Sequence, residues 1–389
     1  MSQADSATPF FQAIAEQIRT ELAPITQAID QKGLYPGDFM HHLGALGGFG
    51  AALSASEGGS GLSLAEQIEI TTQVGRECGS TAFLVWCQSS CGWYLKHSPN
   101  TPVRERYLER VARGELLAGT GMSNAVKHLA GIEKIHLRAQ REDGGYVVNG
   151  SLPWVSNVGD GHLAIVAASV EDGGYIMFAV PSTSEGLETR ACLEFSGLEG
   201  TQTLNLRFRN VHVPDEDVLA HPEQFAAYVK RIKPGFVLGQ TGMGFGIVEG
   251  CLAIMRESNA STGHVNIFLD DQEADLAAQL AALKTQAAVL ARQAQAGGTP
   301  ILPVLKLRAA VSELTLKAAN SAVLHAGAKG YLMLHPAQRR LREAVFVAIV
   351  TPALKHLRKE IHDIEQAAHE QHDAGLPAQS TRYSLFANQ

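Results

Sequence analysis

Aromatic side chains are scarce in this chain, 6% of its 389 residues, while apolar residues make up 45%. A core of that kind is built from aliphatic side chains, and the abundance of Ala and Leu leans it towards helix. Basic residues are in deficit, 32 Lys and Arg against 39 Asp and Glu, for a net charge of -7. That balance favours solubility and lacks the clustered cations of a nucleic-acid surface. No uninterrupted apolar run reaches the roughly 18 residues that would cross a bilayer, so no membrane span is expected. Residues 1–10 hold neither a basic n-region nor an apolar h-region, which predicts no secretory signal. Cysteines are few and odd in number (Cys78, Cys87, Cys91, Cys192 and Cys251). That is the pattern of reduced thiols in a cytoplasmic protein. Also missing are a Gly-x-Ser-x-Gly elbow and a Gly-x-x-x-x-Gly-Lys-Ser/Thr loop, which excludes those hydrolase and phosphate-loop sites.

What is present divides into three zones, in keeping with two or three packed units for this length. Residues 1–117 read as helical. Ile14, Ile18, Leu22, Ile25 and Ile29 recur at helical spacing. Pro36 and Asp38 open a further helix into Phe39, Leu43 and Leu46. Residues 47–61 are a glycine-rich loop, and 64–75 and 81–95 resume the helical period. Residues 118–222 change to short apolar or alternating segments between turn signals, Asp143-Gly144-Gly145, Asn149-Gly150 and Asp172-Gly173-Gly174. Residues 204–211 alternate with period two. These signals predict antiparallel strands and hairpins. Residues 223–389 return to long helices, one over 274–295 and another opening at Thr299-Pro300 with Pro303. A loose tail is expected from about residue 375.

Gly145-Tyr146-Val147-Val148-Asn149-Gly150, followed by Trp154-Val155-Ser156-Asn157, is the strongest motif. Gly197, Gly200, Thr201 and Thr203 follow it, then Val211-His212-Val213-Pro214. Gly327, Gly330 and Tyr331, His335-Pro336, Arg339-Arg340, Arg342-Glu343-Ala344 and Ile349-Val350-Thr351-Pro352-Ala353 come near the C-terminus. Gly47, the loop 57–63, Tyr107-Leu108 and Gly114-Glu115 belong to the first zone. In this order, over nearly the whole chain, these stretches resemble the acyl-CoA dehydrogenase family, which carries Gly-Tyr-x-Leu-Asn-Gly and Trp-Ile-Thr/Ser-Asn. The resemblance implies an α+β fold with an N-terminal helical domain (1–117), a middle antiparallel β-domain (118–222) and a C-terminal four-helix bundle (223–389). It implies a homo-oligomer, dimer or tetramer, with FAD between the β-domain and a bundle shared with a neighbour. Residue by residue, it implies that Trp154 flanks the flavin ring and that Ser156 donates towards flavin N5. Met122 and Ser123 would meet the flavin edge, and Gly327 and Ala328 the dinucleotide of a partner subunit. Ala353 stands where the family has a threonine beside the cofactor.

The departures are as informative. The family reads Ile-Tyr-Glu-Gly-Thr near the C-terminus, and its Glu takes the α-proton of an acyl thioester. Thr351 stands at that catalytic position, and a hydroxyl is no base near neutral pH. Read for structure, Thr351 predicts a helix N-cap with Pro352 at the first helical position. The family loop Thr-Glu-Pro-x-Ala-Gly-Ser-Asp is replaced by residues 122–128. There Lys127 and His128 read either as a solvated loop pair or as contacts for a phosphate or carboxylate of the substrate. The family's Arg-x-x-Phe-Gly is lost from 260–267. The segment 233–238, where some members place the base instead, also lacks a carboxylate.

Other candidates read as structure. Cys87 and Cys91, beside Trp86 and Trp93, are spaced for helix packing. Gly239, Gly242, Gly244 and Gly246 follow no strand, so they form no dinucleotide fingerprint and predict close helix packing. His362, His369 and His372 share a predicted helix without a further ligand, so no metal is expected. Three functions stay open. One is an FAD-dependent oxidoreductase acting on an acyl-CoA-like or other small organic substrate, with an electron-transfer flavoprotein as partner. The second is a two-component monooxygenase that takes reduced FMN or FAD from a separate flavin reductase. The third is a degenerate member that serves as a scaffold.

Overall fold

The computed structural model describes residues 3–373; the tail expected from residue 375 lies outside them. Helix α1 (Gln3–Gln17) passes through a π turn (Ile18–Leu22) and a 3₁₀ turn (Ala23–Ile25) into α2 (Thr26–Lys32). Pro24 lacks the N–H that a continuous helix would need, so the periodic run breaks there. Next come α3 (Gly37–Ala45), α4 (Leu64–Glu77), α5 (Gly79–His97) and α6 (Thr101–Ala112). Ser63 caps α4, its hydroxyl accepting from the amide of Ala65 at 3.2 Å. Almost every residue of α5 up to Leu95 is buried, as befits a helix that is apolar all round and runs through the core.

The middle zone begins with β1 (Ala118–Thr120) and a short helix α7 (Ser123–Leu129). Then follow β2 (Arg138–Glu142), β3 (Gly145–Val155), β4 (Leu163–Val170), β5 (Tyr175–Pro181), β6 (Leu187–Ala191), β7 (Leu204–Pro214) and β8 (Val218–Ala220). They form one sheet in the order β6-β7-β3-β2-β4-β5-β8, with β1 beside β4. The expected hairpins β2–β3 and β4–β5 are antiparallel. The sheet is nonetheless mixed, which corrects the expectation of a purely antiparallel domain: β1 and β2 each run parallel to β4. Turn residues fix direction only between strands joined by a tight turn. β1 and β2 reach β4 through longer connections, so packing sets their direction.

Successive side chains on a strand point to opposite faces, and β4 and β5 divide theirs between two cores. Leu163, Ile165, Ala167, Met177 and Ala179 join the helical core. Ala164, Val166, Ala168, Ile176, Phe178 and Val180 pack with Tyr146, Val148 and Phe208 in the sheet's own core. The sheet is thus sealed onto the helices.

The chain ends in α8 (Pro222–Gly239), α9 (Thr241–Asn266), α10 (Glu273–Ala296), α11 (Ile301–Ala326), α12 (Pro336–Ile349) and α13 (Leu354–Asp373). Helices α9 to α12 pack together, α13 lies on α11, and α4 crosses α9. The glycines of α9 allow that crossing. A Cβ on Gly246 would lie 2.4 Å from the carbonyl oxygen of Thr72, and one on Gly242 2.7 Å from that of Ile68. On α8, Gly235 and Gly239 lie beneath Trp93 and Trp86. Those indoles donate to the carbonyls of Ile232 (3.1 Å) and Phe236 (3.2 Å), beside the buried free thiols of Cys87 and Cys91. Among the described residues, one run, Pro222–Asn266, is long and apolar enough to cross a membrane, and 78% of its apolar window is buried inside the fold.

Candidate active site

The link between α12 and α13 carries Thr351. Helix α12 stops at Ile349, Val350 is extended, and Pro352 cannot donate to a continuing helix. Thr351 is not the helix cap expected of it, because α13 opens only at Leu354. Tertiary partners hold the residue instead. Its hydroxyl lies 2.7 Å from that of Ser123, and its carbonyl accepts from Gln240 Nε2 at 2.8 Å. One shared contact uses one of the pair's two hydroxyl protons, so the pair keeps one to donate. Among the described residues, no carboxylate is bonded to either hydroxyl.

Behind Gln240 stands Arg308, fully buried. Its Nε donates to Gln240 Oε1 at 3.0 Å, and its other nitrogens donate to Ser312 and to the Val347 carbonyl. A guanidinium only donates, so it fixes which way the Gln240 amide points. No carboxylate pairs with Arg308 among the described residues. Burial lowers its pKa to about 10, which still leaves a cation at neutral pH.

The rewritten segment 122–128 folds as α7 rather than as a loop. Met122 is buried, and its carbonyl accepts from Val126 at 2.9 Å. The buried Asn124 side chain donates to Glu133 (2.8 Å) and to the Lys134 carbonyl (3.0 Å), and accepts from the His136 amide (2.8 Å). Lys127 and His128 are half-buried and already partnered, not a solvated pair. Lys127 Nζ lies 3.3 Å from the Glu133 carboxylate. His128 Nδ1 meets the Glu133 carbonyl at 3.1 Å. A carbonyl only accepts, so the neutral ring carries its proton on Nδ1. Nε2 then accepts from the Tyr175 hydroxyl at 2.8 Å.

At the end of β3, Trp154 is 61% exposed with φ 59°, a left-handed backbone that large side chains rarely adopt. Ser156 is buried, its hydroxyl 2.6 Å from that of Thr203. Asn157, also left-handed, pins the strand end to the helices. It donates to the Ala118 carbonyl (2.8 Å) and accepts from Tyr35 (2.6 Å). Gly327 closes α11 with φ 60°. Gly327 and Ala328 are exposed there, and Ala353 is half-buried after Thr351. Of the residues singled out in the sequence, the structure bonds Ser123 to Thr351. It joins neither Gly327 nor Ala328 to that pair by any described hydrogen bond.

Sequence reasoning missed Gln240, Arg308 and His356, and it placed Thr203 in a motif without giving it a role. Arg308 left a signal, since it shares a helical face with Val304 and Val311. His356 is 4% exposed, and its Nε2 has no partner among the described residues. Burial lowers its pKa; Glu360 opposes this and Lys233, Lys359 and Lys127 add to it. No group of three His, Cys, Asp or Glu among the described residues is placed to hold a metal.

Residues 5–115 match the acyl-CoA dehydrogenase N-terminal domain, and residues 127–211 the acyl-CoA dehydrogenase middle domain. The mitochondrial isovaleryl-CoA dehydrogenase of Pongo abelii is 28% identical over 229 residues, 56% of this chain and 53% of that enzyme. This chain therefore spans about half the length of that relative in the match. The probable acyl-CoA dehydrogenase YngJ of Bacillus subtilis is 25% identical over 347 residues, 85% of this chain and 90% of that protein. Among solved structures, a glutaryl-coenzyme A dehydrogenase–glutaryl-CoA complex superposes with a TM-score of 0.85 at 21% identity, covering 95% of this chain and 96% of that one. Dibenzothiophene monooxygenase (TdsC) of Paenibacillus sp. A11-2 does so with a TM-score of 0.79 at 18% identity, covering 93% and 97%. At such identities the structural likeness shows the fold.

Proposed function

This chain belongs to the acyl-CoA dehydrogenase family and is an oxidoreductase of that family, and we propose that it uses FAD on an acyl-CoA-like or other small organic substrate without the carboxylate base usual in its relatives. The observation that carries the reading is the hydroxyl pair Ser123–Thr351 at the junction of α7 and the bundle, where the resemblance puts the base. The pair's spare proton suits a hydrogen bond to a substrate oxygen, while Gln240 and Arg308 hold the turn in place. Such a pair orients a substrate and does not deprotonate it.

The residues present fit a flavin. Trp154 offers an exposed indole that a flat ring would cover, and the buried hydroxyl of Ser156 lies two residues on. Met122, Ser123, Trp154 and Ser156 would hold the ring. Bound FAD would supply the hydride acceptor that no protein side chain provides. Tyr331, Leu332, Met333 and Leu334 are all exposed beside Gly327 and Ala328. An apolar surface of that kind supports a homo-oligomer in which those two residues face a neighbour's dinucleotide.

A two-component monooxygenase is the second reading. It is favoured by α7 standing in place of the glycine turn and by the absence of the arginine from 260–267, both of which suit a flavin that comes and goes. The visible spectrum of the purified protein, followed by anaerobic titration with acyl-CoA thioesters, decides between them. Flavin bands that bleach with a thioester support the first reading. A colourless protein that binds reduced flavin supports the second. A protein that binds neither form of flavin overturns both.

A further inference from the structure

Ser156, Thr203 and Thr201 form a file of hydroxyls that ends on a backbone carbonyl. Ser156 Oγ is 2.6 Å from Thr203 Oγ1, Thr203 Oγ1 is 2.8 Å from Thr201 Oγ1, and Thr201 Oγ1 is 2.7 Å from the Leu198 carbonyl oxygen. Oxygens that close need a hydrogen between them. There are three contacts and three hydroxyls, each with one proton. The Leu198 carbonyl can only accept, so Thr201 gives its proton there. The Thr201–Thr203 contact must then take the proton of Thr203, and the Ser156–Thr203 contact that of Ser156. The order is forced, and Ser156 is left with lone pairs only. Thr201 and Ser156, the two ends of the file, are 2% and 6% exposed, and Thr203 between them is half-buried, so solvent competes little at the two ends.

Resting on the flavin reading above, we infer that Ser156 is a hydrogen-bond acceptor in the cofactor site and that the site therefore selects reduced flavin over oxidised flavin. The resemblance implied the reverse polarity, a hydroxyl donating to flavin N5. That nitrogen carries a hydrogen in reduced flavin and a bare lone pair in oxidised flavin. An acceptor beside it gains a hydrogen bond with the first and faces lone-pair repulsion with the second. Ser156 is thus a specificity-determining residue for redox state, and Thr203 is a positioning residue that sets its polarity. A site of this kind raises the midpoint potential of its flavin. That serves a dehydrogenase, whose flavin must accept hydride, and equally a monooxygenase that captures reduced flavin from a reductase.

The test is the Kd for oxidised and for reduced flavin, titrated anaerobically in the full chain and in T203V, T203S and S156A, with the midpoint potential as second readout. The wild type binds reduced flavin more tightly. T203V removes the acceptor for the Ser156 proton at nearly constant volume, frees that proton for N5, and cuts the preference about tenfold. For a two-electron couple that is a fall of about 30 mV. T203S restores the file and the wild-type preference. S156A also reduces the preference, and it carries the test if T203V does not fold. An unchanged preference in T203V with flavin bound, or a wild type that prefers oxidised flavin, overturns the inference and leaves the flavin reading standing. A wild type that binds neither form overturns the flavin reading and this inference with it.

Discussion

Ser123 and Thr351 are 228 positions apart in the chain, and their hydroxyl contact ties α7 to the turn that ends α12. Thr351 is 7% exposed and Ser123 half-buried, so water poorly replaces the partner that Thr351 would lose. Removing one hydroxyl leaves the other unpaired and costs about 1–2 kcal/mol. Removing both costs little more, because no orphan remains. Ser123→Ala and Thr351→Val are each expected to lower the denaturation midpoint, and the double variant to match the worse single one. The coupling in that double-mutant cycle is about 1 kcal/mol; additive losses would mean that the contact is absent in solution. The sequence motif was enough to single out Thr351 and to show that no carboxylate stands there. It could not show what Thr351 touches, because no local pattern links a residue near 123 to one near 351. For the same reason Gln240 and Arg308 escaped notice and Thr203 stood in a motif without a role: their roles come from the partners that folding brings to them.

A buried ion pair on α12, Arg340 with Glu343, serves the ends of two helices, and Arg339 Nε lies 3.5 Å from the same carboxylate. Arg340 donates to the Gly75 carbonyl at 2.9 Å, to that of Glu77 at 3.1 Å and to that of Arg76, all at the C-terminus of α4. Glu343 accepts from the Gly79 amide at 2.9 Å, at the N-terminus of α5, and from Arg340 at 2.8 Å. A cation at a helix C-terminus and an anion at a helix N-terminus both oppose the local dipole charge. Arg340 and Glu343 are 3% and 2% exposed, so loss of the Glu343 charge leaves Arg340 without its anion in a dry place. Glu343→Gln is expected to cost about 3 kcal/mol. Glu313→Gln, which breaks an exposed pair with Arg358, is expected to cost under about 1 kcal/mol. Equal costs in urea unfolding would show that burial does not decide the matter. Elements of this length were legible in the sequence, α4 and α5 from their helical period, α10 from its run of helix formers and the two hairpins from their turn residues. The short ones were not. Seven residues of α7 hold too few turns for a period, and their helix rests on Asn124 bonding to residues 133–136.

Among the described residues, burial disfavours the charged form of three histidines, His356 buried and His97 and His162 half-buried. His97 packs edge-on against Trp93, with ring centroids 4.2 Å apart. Burial, with help from Arg231 and Lys96, brings its pKa from 6.5 down to about 3. Burial also lowers the pKa of His162 and His356. A group whose pKa is lower folded than unfolded binds its proton first in the unfolded chain, so stability falls as pH drops below the unfolded value. Carboxylates lowered by a cation, such as Asp215 beside Arg141 and Asp271 beside Lys317, act in the same direction. Their window opens only near their ordinary 3.8. Between pH 6.5 and 5 the loss therefore belongs to the histidines. His97 alone accounts for up to about 2 kcal/mol over that interval, and His162 and His356 add to it with the same sign. Thermal unfolding should give a constant Tm from pH 8 to 7 and a steady fall from 6.5 to 5. His97→Gln should flatten that slope, since a glutamine takes up no proton. A slope untouched in His97→Gln would place the proton uptake elsewhere, and a Tm constant down to pH 5 would mean that the three rings reach solvent.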